Sequence, residues 1–381
     1  MIAAADRPLT ESGLLTDLTA LRRRVGHFAA AVAETVRLRR RAVLKLGPIA
    51  SEWLFTDEAL QQATPAQVAA HRAIRLSGLG VHDLTCSIGA DLAALMPVCA
   101  PALGSDLDPV RIRMAAHNLR IAGLPDRVLV ADALRRTSRG LLGYADPARR
   151  ESSGRRITSA QTFPSVADLD DAHSARPPVL RLPPGIDYER LGRPGEVEIV
   201  SLDGGAREAV LWPQELATVA RRATVLSHDG SAHAITSDDP DDAPAGPAPG
   251  RTVGNWLVDP DPAVVRAHLV RHYATRHRLT QIDPHLAYLV GPEPPAATRA
   301  FRILDAAPYT IAGVTHWIRR DGTGTLEIKQ RGTPVVPDDL RRRLRSVISK
   351  DTTVNHTLVL ARIGDQPWAF WCRATAAFGP A

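Results

Sequence analysis

Several acidic residues stand where an apolar run hands over to a loop, and their spacing is what a nucleotide-type cofactor would need. The first junction reads Asp83-Leu-Thr-Cys-Ser-Ile-Gly-Ala-Asp91. A strand ending in an acid, then small residues, then a helix lets backbone approach a ligand closely. The Gly-x-Gly-x-x-Gly pattern that seats a pyrophosphate on a helix N-terminus is absent. Only Gly89 remains, among Thr85, Cys86, Ser87 and Ala90. The loop therefore suits a cofactor without a pyrophosphate, such as S-adenosylmethionine, whose amino-acid end carries an ammonium and a carboxylate. Asp83 would face the ammonium, and the loop around Thr85, Ser87 and Gly89 the carboxylate. A structural turn after a buried strand would carry the same residues.

The second run ends at Ser105-Asp106-Leu-Asp108. An acid at the end of a second strand can accept from both ribose hydroxyls. Asp106 takes that role, because Asp108, followed by Pro109, suits a helix N-cap. The third run ends at Asp132, placed to accept from an adenine amino group. The fourth leads into Tyr144-Ala-Asp-Pro-Ala-Arg-Arg150. Asp146, with the backbone carbonyl near Pro147, can accept from an amino or imino group and so orient its nitrogen lone pair. Methyl transfer from a sulfonium needs mainly alignment and no metal. Arg149 and Arg150 are either anchors for substrate phosphates or surface charge. Taken alone, Asp146-Pro147 could be a plain turn.

The elements that would hold these residues follow from periodicity. Residues 14–46 read as helix, with Leu15, Leu18, Leu21 and Val25 at three- and four-residue spacing, and 65–76 as a second helix. From residue 79 short apolar runs alternate with helices. Strands are expected at 80–84, 102–105, 128–131, 141–145, 178–182 and 196–201, with a helix at 109–122. That alternation predicts an α/β fold, a parallel sheet with helices on both faces. The acids then lie along the carboxyl edge of the sheet, where open α/β sheets bind ligands. Residues 229–251, rich in Asp, Pro, Ala and Gly, read as a connection. Beyond 253 a separate α+β unit is expected: helix 263–277, strand 325–329, basic helix 337–347 and strand 357–362. The domains are thus an N-terminal helical region at 1–76, a cofactor-binding sheet domain at 77–250, and a C-terminal domain at 253–381.

The 381 residues carry 47 Lys and Arg against 41 Asp and Glu, a formal charge of +6. Lysine occurs only at Lys45, Lys329 and Lys350, so the positive charge is almost all guanidinium, which matches phosphate oxygens well. A polyanionic partner and a simple compositional bias both account for this. Cys86, Cys99 and Cys372 have no metal-ligand spacing and suggest no disulfide framework. The opening MIAAADRPLTESG is no charged-then-apolar leader, and no apolar run reaches the roughly 18 residues of a membrane span. A cytoplasmic, metal-independent protein without membrane attachment is expected.

Taken together, these motifs resemble bacterial class I methyltransferases that carry a C-terminal THUMP-like domain. The resemblance rests on Asp83–Asp91, on Asp106-Leu-Asp-Pro109 with Ala115-Ala-His-Asn118, and on Asp146-Pro-Ala-Arg-Arg150. It also rests on Phe55-Thr56 with Ala59-Leu-Gln-Gln-Ala-Thr64, Leu182-Pro-Pro-Gly-Ile-Asp187 and Glu208-Ala-Val-Leu-Trp212. In the C-terminal part it rests on Asp259-Pro-Asp-Pro-Ala-Val-Val-Arg266 and Leu326-Glu-Ile-Lys-Gln-Arg-Gly332. It covers nearly the whole chain after Trp53. It departs from the family at Ser87 and Ala90, where glycine is preferred, and at Gln61, where Glu is expected.

The resemblance implies a Rossmann-like sheet, S-adenosylmethionine as cofactor and an RNA substrate, ribosomal or transfer. The substrate loop has no Cys, and attack at pyrimidine C5 needs one as nucleophile, so a base nitrogen is the expected acceptor. Lys329, Arg331 and the run Arg341 to Arg343 with Arg345 would meet RNA phosphates. The alternatives are a catalytically weak or inactive S-adenosylmethionine- and RNA-binding protein, or a methyltransferase acting on a small molecule or a protein.

Overall fold

The computed structural model of the chain describes residues 7–148, 162–244, 246, 248, 250, 252–296, 298–349 and 351–374. Two compact units are present. The first comprises Met1–Leu202, Arg207–Thr218 and Leu226–Ser231; the second comprises Asp203–Ala206, Val219–Val225 and Ala232–Ala381.

In the first unit the N-terminal helix is broken in two, α1 (Leu14–Val25) and α2 (Ala29–Leu46), by a tight turn at Gly26–Phe28. Gly26 sits at φ +59°, a left-handed value that ends the periodicity. Helices α3 (Asp57–Gln62) and α4 (Ala66–Arg75) follow. Thr56 caps α3, its Oγ1 accepting from Ala59 N at 3.1 Å. Leu38, Ala42, Leu46, Trp53, Phe55 and Leu60 pack with Ile88 of the first junction, so the N-terminal helices brace the loop that the acids frame.

The α/β alternation then runs β1 (Val81–Asp83), α5 (Ala90–Leu95), β2 (Ala102–Asp106), α6 (Pro109–Ile121), β3 (Val128–Val130) and β4 (Leu142–Ala145). It continues with α7 (Val166–Ala172), β5 (Val179–Leu182), α8 (Tyr188–Leu191), β6 (Glu196–Leu202) and β7 (Gly205–Trp212). The strands lie in the order β3-β2-β1-β4-β5-β7-β6. Pairing from β3 through β5 is parallel, as the alternation predicts. Beyond it β7 runs antiparallel to β5, with Leu180 opposite Leu211, so the sheet is mixed. Asp108 caps α6 as expected, its Oδ1 accepting from Val110 N at 2.7 Å with Pro109 in the first turn. Val81, Leu92, Leu95, Leu119, Leu142, Tyr144 and Trp212 form the core between sheet and helices. Gly104, in β2, is required there: a Cβ would lie 2.6 Å from Leu92 and 2.8 Å from Cys86.

The second unit takes most of β8 (Arg221–Leu226) and β9 (Ala232–Thr236); β9 lies in the stretch read from sequence as a connection. Then come β10 (Trp256–Asp259), α9 (Pro262–Arg266), α10 (Val270–Arg276), β11 (Thr280–Gln281), β12 (Leu289–Gly291), β13 (Arg299–Pro308), α11 (Ile311–Arg320), β14 (Thr325–Arg331), α12 (Pro337–Leu344), β15 (Asn355–Ile363) and β16 (Gln366–Ala374). The single helix expected at 263–277 is split where His268 takes φ +56°. The strands β10 to β16 lie in the order β11-β12-β10-β13-β16-β15-β14. Helix α12 buries Leu340 and Leu344 against Trp317, Leu358 and Trp371, which leaves Arg341, Arg342 and Arg343 outward. Among the described residues no helix is long and apolar enough to cross a membrane.

Candidate active site

A cavity of about 530 Å³ opens in the first unit where β1, β2 and β4 end. The chain leaves β1 toward β2 on one side and returns as β4 on the other, the switch point at which open α/β sheets bind ligands. Pockets for small molecules run to roughly 300–1,000 Å³, so the space suits a cofactor together with part of an acceptor. Asp83, Thr85, Cys86, Ser87, Asp106, Asp146 and Pro147 all line it.

At one end the first junction is held from several sides. Asp106 accepts from Ser87 N through Oδ2 and from Asp108 N through Oδ1, both at 2.9 Å. Ser87 sits at φ +50°, a left-handed conformation, which is the physical reason glycine is preferred at this position. Its Oγ accepts from Arg111 Nη1 at 3.3 Å. Gly89 is also left-handed, at φ +82°, and a Cβ there would meet Ala115 at 3.3 Å. Asn118, fully buried, donates to Ile88 O at 2.9 Å and to Leu54 O at 3.1 Å. The Ala115-x-x-Asn118 motif thus makes room for Gly89 and ties the loop to the N-terminal segment.

This loop fits S-adenosylmethionine on its own chemistry. Asp83 is buried, its Oδ1 accepts from Thr85 N at 3.3 Å, and its Oδ2 has no hydrogen-bond partner among the described residues. Burial, and then the charge of Asp91, push this carboxyl well above the usual range. An ammonium group would supply the missing counter-charge. Leu107, 60% exposed on the cavity wall beside Asp106, offers an apolar face for an adenine ring. Asp132 stands apart: Ala131 and Ala133 line the cavity, while Asp132 Oδ1 accepts from Leu134 N at 2.9 Å in its own turn.

At the other end Asp146 follows β4. Its backbone N donates to Thr85 Oγ1 at 2.7 Å, joining the two loops, so Thr85 presents its hydroxyl to the protein. The Asp146 carboxylate is ion-paired through Oδ2 with Arg181 of β5. Arg181 Nε also reaches Glu208 of β7 at 3.1 Å, and Glu208 accepts twice from Arg72 of α4 at 2.6 Å. Arg72 further pairs with Asp91 at 2.7 Å, and Asp91 accepts from Tyr144 Oη at 2.9 Å and Thr64 Oγ1 at 3.1 Å. Burial raises the Asp146 carboxyl, and Arg181 opposes that rise. Burial would raise Asp91 too, but Arg72 and Arg181 hold it below the usual range. Beyond Asp146, Ala148 and Phe163 exchange two backbone hydrogen bonds, of 3.0 and 2.8 Å. Phe163 lines the cavity with its side chain 63% exposed.

Arg149 and Arg150, expected from sequence beside this turn, lie outside the described residues. Lys329 and Arg331, in the other unit, both pair with Asp259, at 2.8 and 2.7 Å. Residues to which sequence reading gave no role at the site include Arg72, Arg181 and Phe163, and also Glu208, Leu107 and the cavity-lining stretch Gln61 to Thr64, which it noted only within motifs. A signal existed for two of them. Arg181 interrupts Val-Leu-Arg-Leu, and Glu208 opens the apolar run to Trp212. Charges inside buried strands must be paired, and these are paired through each other.

Comparison with known proteins gives the family. A relative in Mycobacterium tuberculosis, strains CDC 1551 / Oshkosh and ATCC 25618 / H37Rv, is 45% identical over 354 residues, which are 90% of this chain and 96% of its own. It is named an uncharacterized S-adenosylmethionine-dependent methyltransferase. Residues 298–374 match the family described as THUMP domain-like. A crystal structure from Porphyromonas gingivalis W83, assigned as a methyltransferase, superposes with a TM-score of 0.73 at 21% identity over 91% of each chain, a likeness of fold.

Proposed function

Since the chain belongs to the S-adenosylmethionine-dependent methyltransferases, we propose that it methylates a nitrogen of a base in ribosomal or transfer RNA. The observation that carries this reading is the Asp146-Pro147 turn, which opens onto the same cavity as the cofactor loop with the exposed ring of Phe163 beside it. Bound S-adenosylmethionine supplies a methyl group on an electrophilic sulfonium. Asp83 would hold its ammonium, Asp106 its ribose hydroxyls and Leu107 its adenine face, with Asp132 as the proposed acceptor for the adenine amino group. Phe163 offers a face on which a planar heterocycle stacks, as bases do on aromatic side chains. Asp146 would accept from the N–H of the acceptor nitrogen and so orient its lone pair. The same carboxylate can hold the proton that the nitrogen gives up.

An RNA substrate is favoured by the THUMP domain-like match and by the outward arginines of α12. Lys329 and Arg331 are held by Asp259, and on α12 Arg341 and Arg342 pair with Asp338 and Asp339, so each patch keeps a net positive charge toward phosphate. The test is mass spectrometry of nucleosides from total RNA of a deletion strain and of the strain complemented with wild type or Asp146→Ala. One methylated nucleoside should disappear, return with wild type and stay absent with the variant. Unchanged RNA nucleosides, with methyl incorporation by the purified enzyme into protein or small-molecule extract fractions, would overturn the RNA reading.

A further inference from the structure

Asp146 is a carboxylate in a place that does not favour one. It is half-buried, and that burial lifts its proton affinity above the ordinary carboxylate level even with a cation beside it. One further acid raises it, Asp91 on α5, while the Asp83 carboxyl at the end of β1 and the Tyr144 phenol of β4 stand in the same cluster and are themselves raised by the Asp146 charge. Against them stand Arg72 of α4 and Arg181 of β5. Of these two cations Arg181 makes the direct ion pair with Asp146, while Arg72 is engaged with Glu208 and Asp91.

We infer that Arg181 is a positioning residue for methyl transfer: it holds Asp146 as a carboxylate, with Oδ2 occupied, so that the other oxygen faces the acceptor. The inference rests on the proposed role of Asp146 and adds the group through which that role is sustained. Arg181 is fixed in turn. Its Nε meets Glu208 at 3.1 Å, and Glu208, fully buried, is anchored by Arg72 at 2.6 Å. The chain Arg72–Glu208–Arg181–Asp146 runs from the core to the cavity, and each charge has an opposite neighbour. A planar guanidinium can serve two carboxylates from different edges, which a lysine ammonium does less well. Without the cation, burial and the charge of Asp91 would act with less opposition and favour the protonated carboxyl. A protonated Asp146 would offer a donor where the acceptor nitrogen needs an acceptor.

The test compares wild type, Arg181→Gln and Arg181→Lys, each with ¹³Cγ-labelled aspartate, in complex with S-adenosylhomocysteine. The Asp146 resonance is assigned by its loss in Asp146→Asn. In wild type it should stand at the ionised position at neutral pH. In Arg181→Gln its proton affinity should rise by at least about tenfold, and in Arg181→Lys by less. This measurement needs no methyl acceptor, so it is decided whether or not RNA is the substrate. S-adenosylhomocysteine affinity and the thermal midpoint report whether each variant is folded. If Arg181→Gln fails to fold, the wild-type titration still decides: a carboxyl already protonated at pH 7 overturns the inference. With RNA from the deletion strain as acceptor, kcat of Arg181→Gln should fall about tenfold or more at pH 7 and recover as pH rises, with KM for RNA little changed. Loss of Asp146→Asn turnover with an unchanged Arg181→Gln profile would refute the role of Arg181 alone. Full turnover by Asp146→Asn would refute the reading beneath it.

Discussion

Asp106→Ala tests the cofactor end of the site. The Asp106 carboxylate accepts from Ser87 N and Asp108 N, each at 2.9 Å. A hydrogen bond to a charged acceptor contributes about 1.5–3 kcal/mol. Removing both therefore costs the loop about 3–6 kcal/mol, and Ser87, already at φ +50°, loses what holds it in a left-handed conformation. The ribose bonds proposed for the same carboxylate would add about 1.5–3 kcal/mol to the loss of affinity, which is roughly ten- to a hundredfold. Asp106→Asn keeps one acceptor oxygen and should fall between wild type and alanine. Calorimetric titration with S-adenosylhomocysteine measures the affinity, and hydrogen exchange at Ser87 N measures the loop. An unchanged dissociation constant with faster exchange would mean that Asp106 serves the loop and not the ribose. No change in either would refute the reasoning.

Asp146→Ala should lower turnover by about a hundredfold or more, as loss of one oriented polar group does, while S-adenosylhomocysteine affinity moves less than about threefold; an equal loss of both would remove Asp146 from acceptor orientation. His82, 1% exposed, has each ring nitrogen 2.9 Å from a serine hydroxyl, Ser105 or Ser138, and burial followed by His173 lowers its pKa from 6.5 to about 4. The unfolded chain therefore binds the proton more readily, and stability should fall by up to about 3 kcal/mol as pH drops from 6.5 to 4. Urea titrations across that range should show His82→Gln with a flatter dependence, and parallel curves would contradict the assignment. Reversing Lys329 and Arg331 to Glu places three acids where Asp259 now has two cations, so the second unit should lose about 2 kcal/mol or more. Calorimetry should show the lower midpoint, and an unaltered one would return both residues to the list of RNA contacts. Reversing the exposed Arg342 and Arg345 should spare the midpoint and flatten the salt dependence of RNA binding by about 0.7 in log–log slope per lost contact; filter binding with no change in slope would exclude α12.

What the sequence determined was local. A strand that ends in an acid, a small-residue loop and a capped helix are properties of consecutive residues, so β1, β2, β4 and α6 and the places of Asp83, Asp106 and Asp146 were legible from order and spacing. The Asp108 cap was legible for the same reason. Breaks that depend on one residue entering left-handed space, at Gly26 and His268, were not, because apolar periodicity continues across them. Nor were the partners. Arg72, Arg181 and Glu208 lie on three elements spread over 136 residues of chain, and only the packing of α4 against the sheet and the antiparallel return of β7 beside β5 bring them together. Folding likewise turned Thr85 toward the Asp146 amide, drew Asp132 into its own turn and paired Lys329 and Arg331 with Asp259. A charge in a sequence shows only that some partner is needed. Which partner it finds is decided by burial, because a charge removed from water is stable only beside the opposite one that the fold delivers.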